Sequence, residues 1–298
     1  MSHTVLITGS SSGFGLLTTK ALVRRGHTVF ATMRDPEGRN AERALELHDF
    51  AKQQPGAVHI LALDVTDDAK VDAAVARAIE LEGRIDVLVN NAGYGVAGFA
   101  EGFTVDQVRN LFEVNVFGVQ RLNRAVLPHM RERGQGLLVH ISSGLGRIVV
   151  PFCGPYTASK FALEALAESY RYELARTGVD VVIVEPGAFA TSFASGLAAP
   201  KDEARIDTYG DELKALPAAM WSGVMAKLQA DDAPDPARVA DCIAELVEMP
   251  AGERPLRTVV DAFSGDGPKA VNEACRQVQR RMFEGMGMPD LLGVKGER

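Results

Sequence analysis

The chain has 298 residues, of which 46% are hydrophobic and 24% are charged, and a chain of this size can bury a large core within one α/β domain. Its formal net charge of -7 provides no basic field for a phosphate backbone, which argues against a nucleic-acid partner. The three cysteines show no CxxC or His/Cys ligand spacing, which argues against a disulfide framework and a structural zinc. We therefore predict one domain over residues 1–298, without a metal site.

The N-terminal sequence MSHTVLITGSSSGFG leads directly into an apolar strand and a glycine turn. It lacks the basic region, the long apolar core and the small-residue cleavage site of a secretion signal. No uncharged apolar run approaches the ~20 residues that span a bilayer. These observations predict a soluble, cytoplasmic protein without a membrane span.

Short runs rich in Val, Ile and Leu recur along the chain and are typical of strands buried on both faces. The predicted strands cover residues 4–8, 28–32, 58–63, 85–90, 137–141, 179–184 and 256–260. Segments with helical periodicity lie between them, at residues 14–25, 36–53, 67–80, 105–132, 156–176 and 236–247. This alternation predicts a Rossmann-like, doubly wound α/β domain, in which a seven-stranded parallel sheet has helices on both faces.

The regular alternation breaks at residues 191–233, where glycines, prolines, aromatic residues and charges are mixed. Because ligands of such sheets bind beyond the carboxyl ends of the strands, this segment after the sixth strand is our candidate substrate lid. Residues 265–298 form a predicted C-terminal helical extension, in which Val271, Cys275, Val278 and Met282 share one helical face. Such a face is typical of a packing or subunit-contact helix.

Two clusters of small residues follow predicted strands and are candidates for cofactor binding. In the TGSSSGFG turn, glycines let the backbone approach a pyrophosphate, and the helix N-terminus offers free N–H groups to the anion. The NNAG cluster at residues 90–93 would let the backbone lie beside a flat ligand. A glycine turn also serves other strand-to-helix connections, and NNAG also suits an Asx turn. The candidate residues are Gly9, Ser11, Ser12, Gly13, Phe14, Gly15, Asn91, Ala92 and Gly93.

Ser143, Tyr156 and Lys160 form a candidate acid/base group. The four-residue interval places Tyr156 and Lys160 on the same helical face, although such a pair also occurs on solvated helices. The unperturbed pKa of tyrosine is near ~10, so a phenol that acts at neutral pH needs a nearby cation, which Lys160 can supply. The Ser143 hydroxyl can hold a substrate oxygen while Tyr156 transfers the proton. The spacing to Tyr156 favours Ser143 over Ser142, which we interpret as structural.

In this order and at these separations, the motifs resemble the short-chain dehydrogenase/reductase family over about residues 3–190. TGSSSGFG, NNAG, YTASK and the pair Pro186-Gly187 match that family's TGxxxGxG, NNAG, YxxxK and proline-glycine elements. Asn115, within FEVNVFG, matches the family's active-site asparagine. The resemblance implies a catalytic tetrad of Asn115, Ser143, Tyr156 and Lys160, in which Asn115 helps to hold a water of a proton relay that leads to the lysine.

The resemblance also implies a nicotinamide cofactor. Asp64, followed by Val65, matches the aspartate that contacts the adenine ring, and Thr191 is placed to reach the nicotinamide carboxamide. The other cofactor contacts carried over from the family are Tyr156, Lys160, Pro186 and Gly187.

The end of the second strand bears on the choice between NADP and NAD. Relatives that prefer NAD carry an acidic residue there, which binds the ribose 2′-hydroxyl. This chain has Met33 at that position, followed by Arg34, whose guanidinium suits a 2′-phosphate. NADP is therefore favoured, whereas Asp35, which could pair with Arg34 or approach the ribose, leaves NAD open.

These residues predict an NADP(H)-dependent oxidoreductase that interconverts a secondary alcohol and a ketone, or an aldehyde, with Tyr156 as general acid/base. ATMRDPEGR and YTASKFALEALAESYRYEL look most like the branch of 17β-hydroxysteroid and retinol dehydrogenases, which suggests a lipophilic substrate. Phe189, Phe193, Leu197 and Trp221 would suit an apolar ligand, but core packing explains them equally well.

Two alternative functions remain at this point. A 3-oxoacyl thioester reductase would carry basic residues around the pocket mouth, whereas the charges of the lid segment are mixed. A non-catalytic NADP-binding sensor would carry a broken tetrad, whereas this tetrad is intact. The resemblance further implies a homodimer or homotetramer formed through the helices predicted at residues 105–132 and 156–176.

Overall fold

The computed structural model describes residues 2–293 of the chain. Within them, seven strands form one sheet, and each neighbouring pair is parallel. The strands are β1 Thr4–Ile7, β2 Thr28–Met33, β3 Ala57–Ala62, β4 Val87–Asn90, β5 Gly136–Ile141, β6 Val179–Pro186 and β7 Arg257–Val260. Their order across the sheet is β3-β2-β1-β4-β5-β6-β7. The predicted Rossmann-like, doubly wound α/β fold is confirmed.

The helices are α1 Gly13–Arg24, α2 Ala41–Ala51, α3 Asp68–Glu82, α4 Val105–Phe112, α5 Gly118–Arg133, α6 Gly154–Glu173, α7 Ser192–Ser195, α8 Glu203–Asp207, α9 Gly210–Lys214, α10 Leu216–Leu228, α11 Ala237–Glu248 and α12 Asp266–Gly285. The C-terminal ends of five helices lie within three residues of the ends predicted from the sequence; these are α1, α2, α3, α6 and α11. Within the described part of the chain, no helix combines the length and apolar character needed to cross a membrane.

Alternate residues of the central strands pack into two separate hydrophobic cores. Val5 and Ile7 of β1 belong to a cluster that includes Ile243 of α11. Leu6, between them, belongs to a second cluster that includes Val126 of α5. Successive side chains of a strand point to opposite faces of the sheet, so both faces of β1 are covered by helices. This burial on both faces explains the continuous Val, Ile and Leu runs of the sequence.

The second helix begins later than predicted. The periodicity predicted a helix over residues 36–53, but α2 begins at Ala41. Asp35 adopts a left-handed backbone conformation with φ 48, and its carboxylate accepts a hydrogen bond from the backbone N–H of Arg39 at 2.9 Å. These contacts close a turn over residues 35–40, which replaces the predicted first turn of helix.

The long helix predicted at residues 105–132 is divided in the structure. A π-helical segment, Glu113–Phe117, separates α4 from α5 and contains Asn115. The Asn115 side chain accepts a hydrogen bond from the Tyr94 backbone N–H at 3.1 Å and donates to the Tyr94 carbonyl at 3.0 Å. Short π-helical segments often occur at functional sites because the widened turn redirects a side chain.

The segment at residues 191–233 contains four helices, α7 to α10. Its first part is fixed to the loop after β4, since Val96 and Ala198 form a parallel bridge. Near the C-terminus, α12 leaves Val278 and Met282 about half exposed, at 49% and 52%. The last residues of the predicted C-terminal extension, 294–298, lie outside the described residues.

The strand order reverses between β1 and β4, and side chains join the two strands at that point. The side-chain Nδ2 of Asn91 donates to the carbonyl oxygens of Thr8 and Gly9, at 2.8 and 3.1 Å. The Thr8 hydroxyl oxygen accepts hydrogen bonds from the backbone N–H groups of Asn91 and Ala92, both at 2.9 Å. A reversal of this kind opens a crevice beyond the carboxyl ends of the strands, where ligands of doubly wound sheets bind.

Candidate active site

A cavity of about 950 Å³ lies beyond the carboxyl ends of the strands and is large enough for a cofactor or a small molecule. Most residues that the sequence singled out line it: Gly9, Ser11, Ser12, Gly13, Phe14, Arg34, Asp64, Val65, Asn91, Ala92, Gly93, Ser143, Tyr156, Lys160, Pro186, Gly187 and Thr191. Gly15 and Asn115 do not line the cavity. Both lie against residues that do, namely Gly9 and Tyr94.

The glycine turn brings the start of α1 against the junction of β1 and β4. A Cβ on Gly15 would lie 2.3 Å from the carbonyl oxygen of Gly9 and 2.5 Å from Nδ2 of Asn91, so no other residue fits there. Helix α1 begins at Gly13, and the preceding Ser12 makes no side-chain capping hydrogen bond. The first N–H groups of a helix need partners, and a phosphate placed here would supply them.

The region beyond β2 carries two arginines. Arg34 and Arg39 both line the cavity and are exposed. Asp35 does not line it, because its carboxylate is bound to the backbone N–H of Arg39. Burial alone would raise the pKa of Asp64, but hydrogen bonds from Thr66 and the charge of Arg34 lower that pKa overall. Arg34, Arg39 and the carboxylate of Asp64 therefore line this end of the cavity, whereas Asp35 does not.

Ser143, Tyr156 and Lys160 lie together at the other end of the cavity. Ser143 follows β5, whereas Tyr156 and Lys160 occupy the first two turns of α6. Ser143 lies close enough to Tyr156 to lower the pKa of the phenol, and the Nζ of Lys160 donates to the carbonyl oxygen of Ile141 at 2.8 Å. The same Nζ lies 5.8 Å from the centroid of the Tyr156 ring. This arrangement brings a hydroxyl, a phenol and an ammonium group to the wall of one cavity.

Burial dominates the ionisation of this group. It raises the pKa of Tyr156, and the hydrogen bond with Ser143 acts in the opposite direction. Burial lowers the pKa of Lys160 to about 8, and the charge of Glu164 acts in the opposite direction. Desolvation of the phenol therefore outweighs the effect of Ser143 on the pKa of Tyr156, and the stabilisation of the phenolate by Lys160 stays a prediction.

Asn115 reaches this group through a serine that lies behind the cavity wall. Its Nδ2 donates to the hydroxyl oxygen of Ser159 at 3.1 Å, and that hydroxyl donates to the carbonyl oxygen of Tyr156 at 2.7 Å. Asn115 and Ser159 are both buried, at 1% and 0% exposure. The hydrogen bonds therefore link the π-helical segment directly to the first turn of α6.

Apolar side chains line the part of the cavity next to Tyr156. Phe193 lies with its ring centroid 5.6 Å from that of Tyr156, and Phe189, Leu197 and Trp221 also line the cavity. Helix α10 contributes further lining residues that the sequence did not single out: Met220, Val224, Met225 and Leu228. Cys153 lies here too, and burial raises the pKa of its thiol to about 11, so it is a poor nucleophile at neutral pH.

Arg39 and Asn40 also line the cavity, although neither was predicted from the sequence. The signal was a second arginine within MRDPEGR, but the segment was predicted to be helical. Only the turn over residues 35–40 places Arg39 on the same side as Arg34. Among the described residues, no group of three His, Cys, Asp or Glu side chains is arranged to hold a metal ion.

Comparison with known proteins gives a consistent result. The family model described as short chain dehydrogenase matches residues 3–202. The human 17-beta-hydroxysteroid dehydrogenase type 1 is 42% identical over 196 residues, which cover 63% of this chain and 57% of that protein. The match therefore spans little more than half of the length of that relative.

Solved structures extend the similarity beyond the matched segment. A short-chain dehydrogenase from Streptomyces avermitilis is 34% identical with a TM-score of 0.75, and the match covers 96% of this chain and 97% of that chain. A variant of actinorhodin polyketide ketoreductase, solved with NADPH, is 29% identical with a TM-score of 0.69, over 89% of this chain and 97% of that chain. The chain belongs to the short-chain dehydrogenase/reductase family and is an NAD(P)-dependent dehydrogenase that acts on CH–OH groups.

Proposed function

We propose that this protein is an NADP(H)-dependent oxidoreductase that interconverts a lipophilic secondary alcohol and the corresponding ketone, or an aldehyde. One observation carries the proposal. A single cavity has the glycine turn with Arg34 and Arg39 at one end, and Ser143, Tyr156 and Lys160 beside an apolar wall at the other. The first end suits a phosphorylated dinucleotide, and the second suits proton exchange with an uncharged substrate.

We propose the following roles for the catalytic residues. The nicotinamide, when bound, supplies or accepts the hydride. Ser143 holds the substrate oxygen by a hydrogen bond, and Tyr156 donates a proton to that oxygen in reduction or removes it in oxidation. Lys160 places a positive charge near the phenol, which favours the phenolate. Asn115 fixes the start of α6 and contributes to proton exchange through a water.

The proposed cofactor contacts fall into groups, each of which suits a different part of the dinucleotide. The N–H groups of the glycine turn, at Gly9, Ser11, Ser12, Gly13, Phe14 and Gly15, surround the pyrophosphate. Asp64 and Val65 contact the adenine ring, whereas Asn91, Ala92, Gly93, Tyr156, Lys160, Pro186, Gly187 and Thr191 hold the nicotinamide half. Arg34, with Arg39 as a second cation, binds the 2′-phosphate, which favours NADP over NAD.

A lipophilic substrate is supported by the side chains around Tyr156. Phe193, Trp221 and the lining face of α10 offer an apolar surface, and a relative of this chain is a hydroxysteroid dehydrogenase by name. We propose that residues 191–233 form the substrate lid within one domain over residues 1–298, and that residues 265–298 are its C-terminal helical extension.

The alternatives from the sequence have less support. The solved relative with NADPH is a polyketide ketoreductase, which keeps a 3-oxoacyl thioester reductase as the second candidate. However, two of the four cations of the lid are neutralised locally, since Arg205 pairs with Asp202 and Lys214 pairs with Asp207. These pairs reduce the basic surface that a phosphopantetheine carrier would need. A non-catalytic NADP sensor would not require the intact arrangement of Ser143, Tyr156 and Lys160.

We propose that the protein acts in a reducing cytoplasm, which the three free cysteines of the described chain suit. We also propose a homodimer or homotetramer formed through the outer faces of α5 and α6 and the segment between α4 and α5. Phe117 and Phe161 are exposed there, at 47% and 39%. Light scattering of the purified protein is expected to give a mass of two or four chains, and a monomer would contradict this assembly.

The acid/base role predicts the effect of Tyr156→Phe. Loss of the phenolic proton is expected to lower kcat for ketone reduction at least about 10²-fold, while the affinity for NADPH stays within about twofold. Tyr170→Phe is the matched control, because Tyr170 lies on the same helix as Tyr156 but its hydroxyl donates to Gln120 of α5, away from the cavity. Steady-state kinetics and NADPH fluorescence titration provide the measurement, and full activity of the Tyr156 variant would refute the role.

The proposed 2′-phosphate site predicts a cofactor-specific loss in Arg34→Ala. NADPH affinity is expected to fall at least about tenfold, since a hydrogen bond to a charged group contributes ~1.5–3 kcal/mol, whereas NADH affinity stays unchanged. Arg39→Ala is expected to show a smaller loss of the same kind. Arg109→Ala, whose side chain pairs with exposed Asp106, is the control. Equal losses for NADPH and NADH would contradict a 2′-phosphate contact.

The lid proposal predicts a size-dependent effect of Trp221→Ala. KM for a large polycyclic ketone is expected to rise about tenfold, because burial of an aromatic side chain against ligand contributes ~1.5–3 kcal/mol. KM for cyclohexanone is expected to change much less. Leu213→Ala serves as the control, since Leu213 is exposed on α9 and does not line the cavity. Identical changes for both ketones would argue against a lid that contacts the distal part of the substrate.

A further inference from the structure

Four titratable side chains form a row along one face of α6. Tyr156, Lys160, Glu164 and Glu168 follow one another at four-residue intervals, so each lies one turn beyond the last. All four are buried, at 7%, 6%, 1% and 8% exposure. The first two line the cavity, whereas the two glutamates lie deeper between α6 and the sheet. Buried carboxylates in such a row are costly and need partners.

Arg257 of β7 is the shared partner of the glutamates. Its Nε lies 2.8 Å from Oε2 of Glu164, and its Nη2 lies 2.6 Å from Oε2 of Glu168. Glu185 of β6 lies 3.4 Å from the same Nε. One guanidinium therefore faces three buried carboxyl groups, and its single positive charge cannot neutralise all three. Burial and the charge of Glu164 accordingly raise the pKa of Glu185 to about 7.

The two glutamates of α6 differ in how their second oxygen is used. Oε1 of Glu168 accepts hydrogen bonds from the Tyr172 hydroxyl and from Gln279 of α12. Oε1 of Glu164 is buried and has no hydrogen-bond partner among the described residues. A Cβ on Gly146 would lie 3.2 Å from this atom and 2.7 Å from the hydroxyl oxygen of Ser142, which is also buried without a hydrogen-bond partner in the described part of the chain. Ser142 itself lines the cavity.

Glu164 therefore keeps a buried, incompletely neutralised oxygen one helical turn from Lys160. Burial lowers the pKa of Lys160 to about 8, and the charge of Glu164 works against that decrease. His140 of β5 adds no positive charge next to the lysine, because burial lowers the pKa of His140 to about 3 and the imidazole is neutral near pH 7. A carboxylate one helical turn away in a buried site interacts with an ammonium group more strongly than the same pair would in water.

We propose that Glu164 is a positioning residue, which holds Lys160 in its ammonium form through its own carboxylate, itself fixed by Arg257. The proposal rests on the proposed function, in which the charge of Lys160 supports proton exchange at Tyr156. The other groups around the carboxylate are Glu168 on α6, Glu185 on β6 and Arg147 after β5. Asn272 of α12 donates to Glu185 at 2.7 Å and so connects the C-terminal helix to the same cluster.

The test is a direct titration of Lys160 in the full-length protein labelled with ¹³C at lysine Cε, with Lys160→Met used to assign the signal. In wild type, Lys160 is expected to titrate near pH 8. In Glu164→Gln, its pKa is expected to fall by about one unit, a tenfold change, because an isosteric amide removes the charge and keeps the shape. No cofactor or substrate is needed for this readout.

Glu168→Gln is the matched control, since it also loses a carboxylate bound to Arg257 but lies two turns from Lys160. Its Lys160 signal is expected to titrate as in wild type. An unchanged Lys160 pKa in Glu164→Gln, or equal shifts in both variants, would overturn the proposal. If Glu164→Gln does not fold, the ¹³C signal of the Glu164 carboxyl in the wild-type protein replaces it. That signal must show a step at the pKa of Lys160 which Lys160→Met removes, and its absence also overturns the proposal.

Kinetics separates this proposal from the proposed function. Below its pKa Lys160 is charged, so kcat for reduction is expected to be constant up to about pH 8 in wild type and to fall above it. In Glu164→Gln, that fall is expected to move to lower pH by the same amount as the titration, with little change in KM. A shifted titration without any reductase activity would support the electrostatic role and refute the proposed function. Activity with an unshifted titration would refute the role of Glu164 alone.

Discussion

The hydrogen bonds from the Asn91 side chain to the carbonyl oxygens of Thr8 and Gly9 hold together the two strands at which the sheet reverses its order. The first turn of α1 can reach this junction only because Gly15 has no Cβ. The glycine turn and the wall formed by Ala92 and Gly93 are therefore fixed to each other by the side chains of Asn91 and Thr8 and by the close approach that Gly15 permits. The rest of the cavity is built outward from this junction.

Helix α6 connects that cavity to the interior of the protein. Lys160 crosses from the helix to the end of β5, where it bonds the carbonyl oxygen of Ile141. The next two turns of the same face meet Arg257 of β7. Burial also governs the ionisation of the two residues of α6 that line the cavity. It raises the pKa of Tyr156 and lowers the pKa of Lys160. A mutation far from the cavity can alter the chemistry through this row of charges.

The structural features that could be predicted from the sequence are those that depend on the backbone conformation of a few neighbouring residues. A glycine turn that contains Gly15 and runs of buried β-branched residues are both typical of a doubly wound parallel sheet. The fold class could therefore be predicted from them. The predicted start of α2 was wrong, because the left-handed conformation of Asp35 and its hydrogen bond to the Arg39 backbone form a turn where the periodicity predicted a helix. Arg39 was missed for the same reason. The interruption at Asn115 depends on its bonds to Tyr94, which is distant in sequence.

The sequence by itself determined the alternation of strands and helices, the glycine turn and the order of the residues that mark the family, because each is encoded within a few neighbouring positions. Only the tertiary structure decided which charges meet. It placed Arg257 and Glu185, from β7 and β6, against Glu164, and it buried Tyr156 so that desolvation raises the pKa of the phenol despite the effect of Ser143. Burial and electrostatic interaction depend on distances between segments far apart in the chain, and those distances exist only after the sheet has formed.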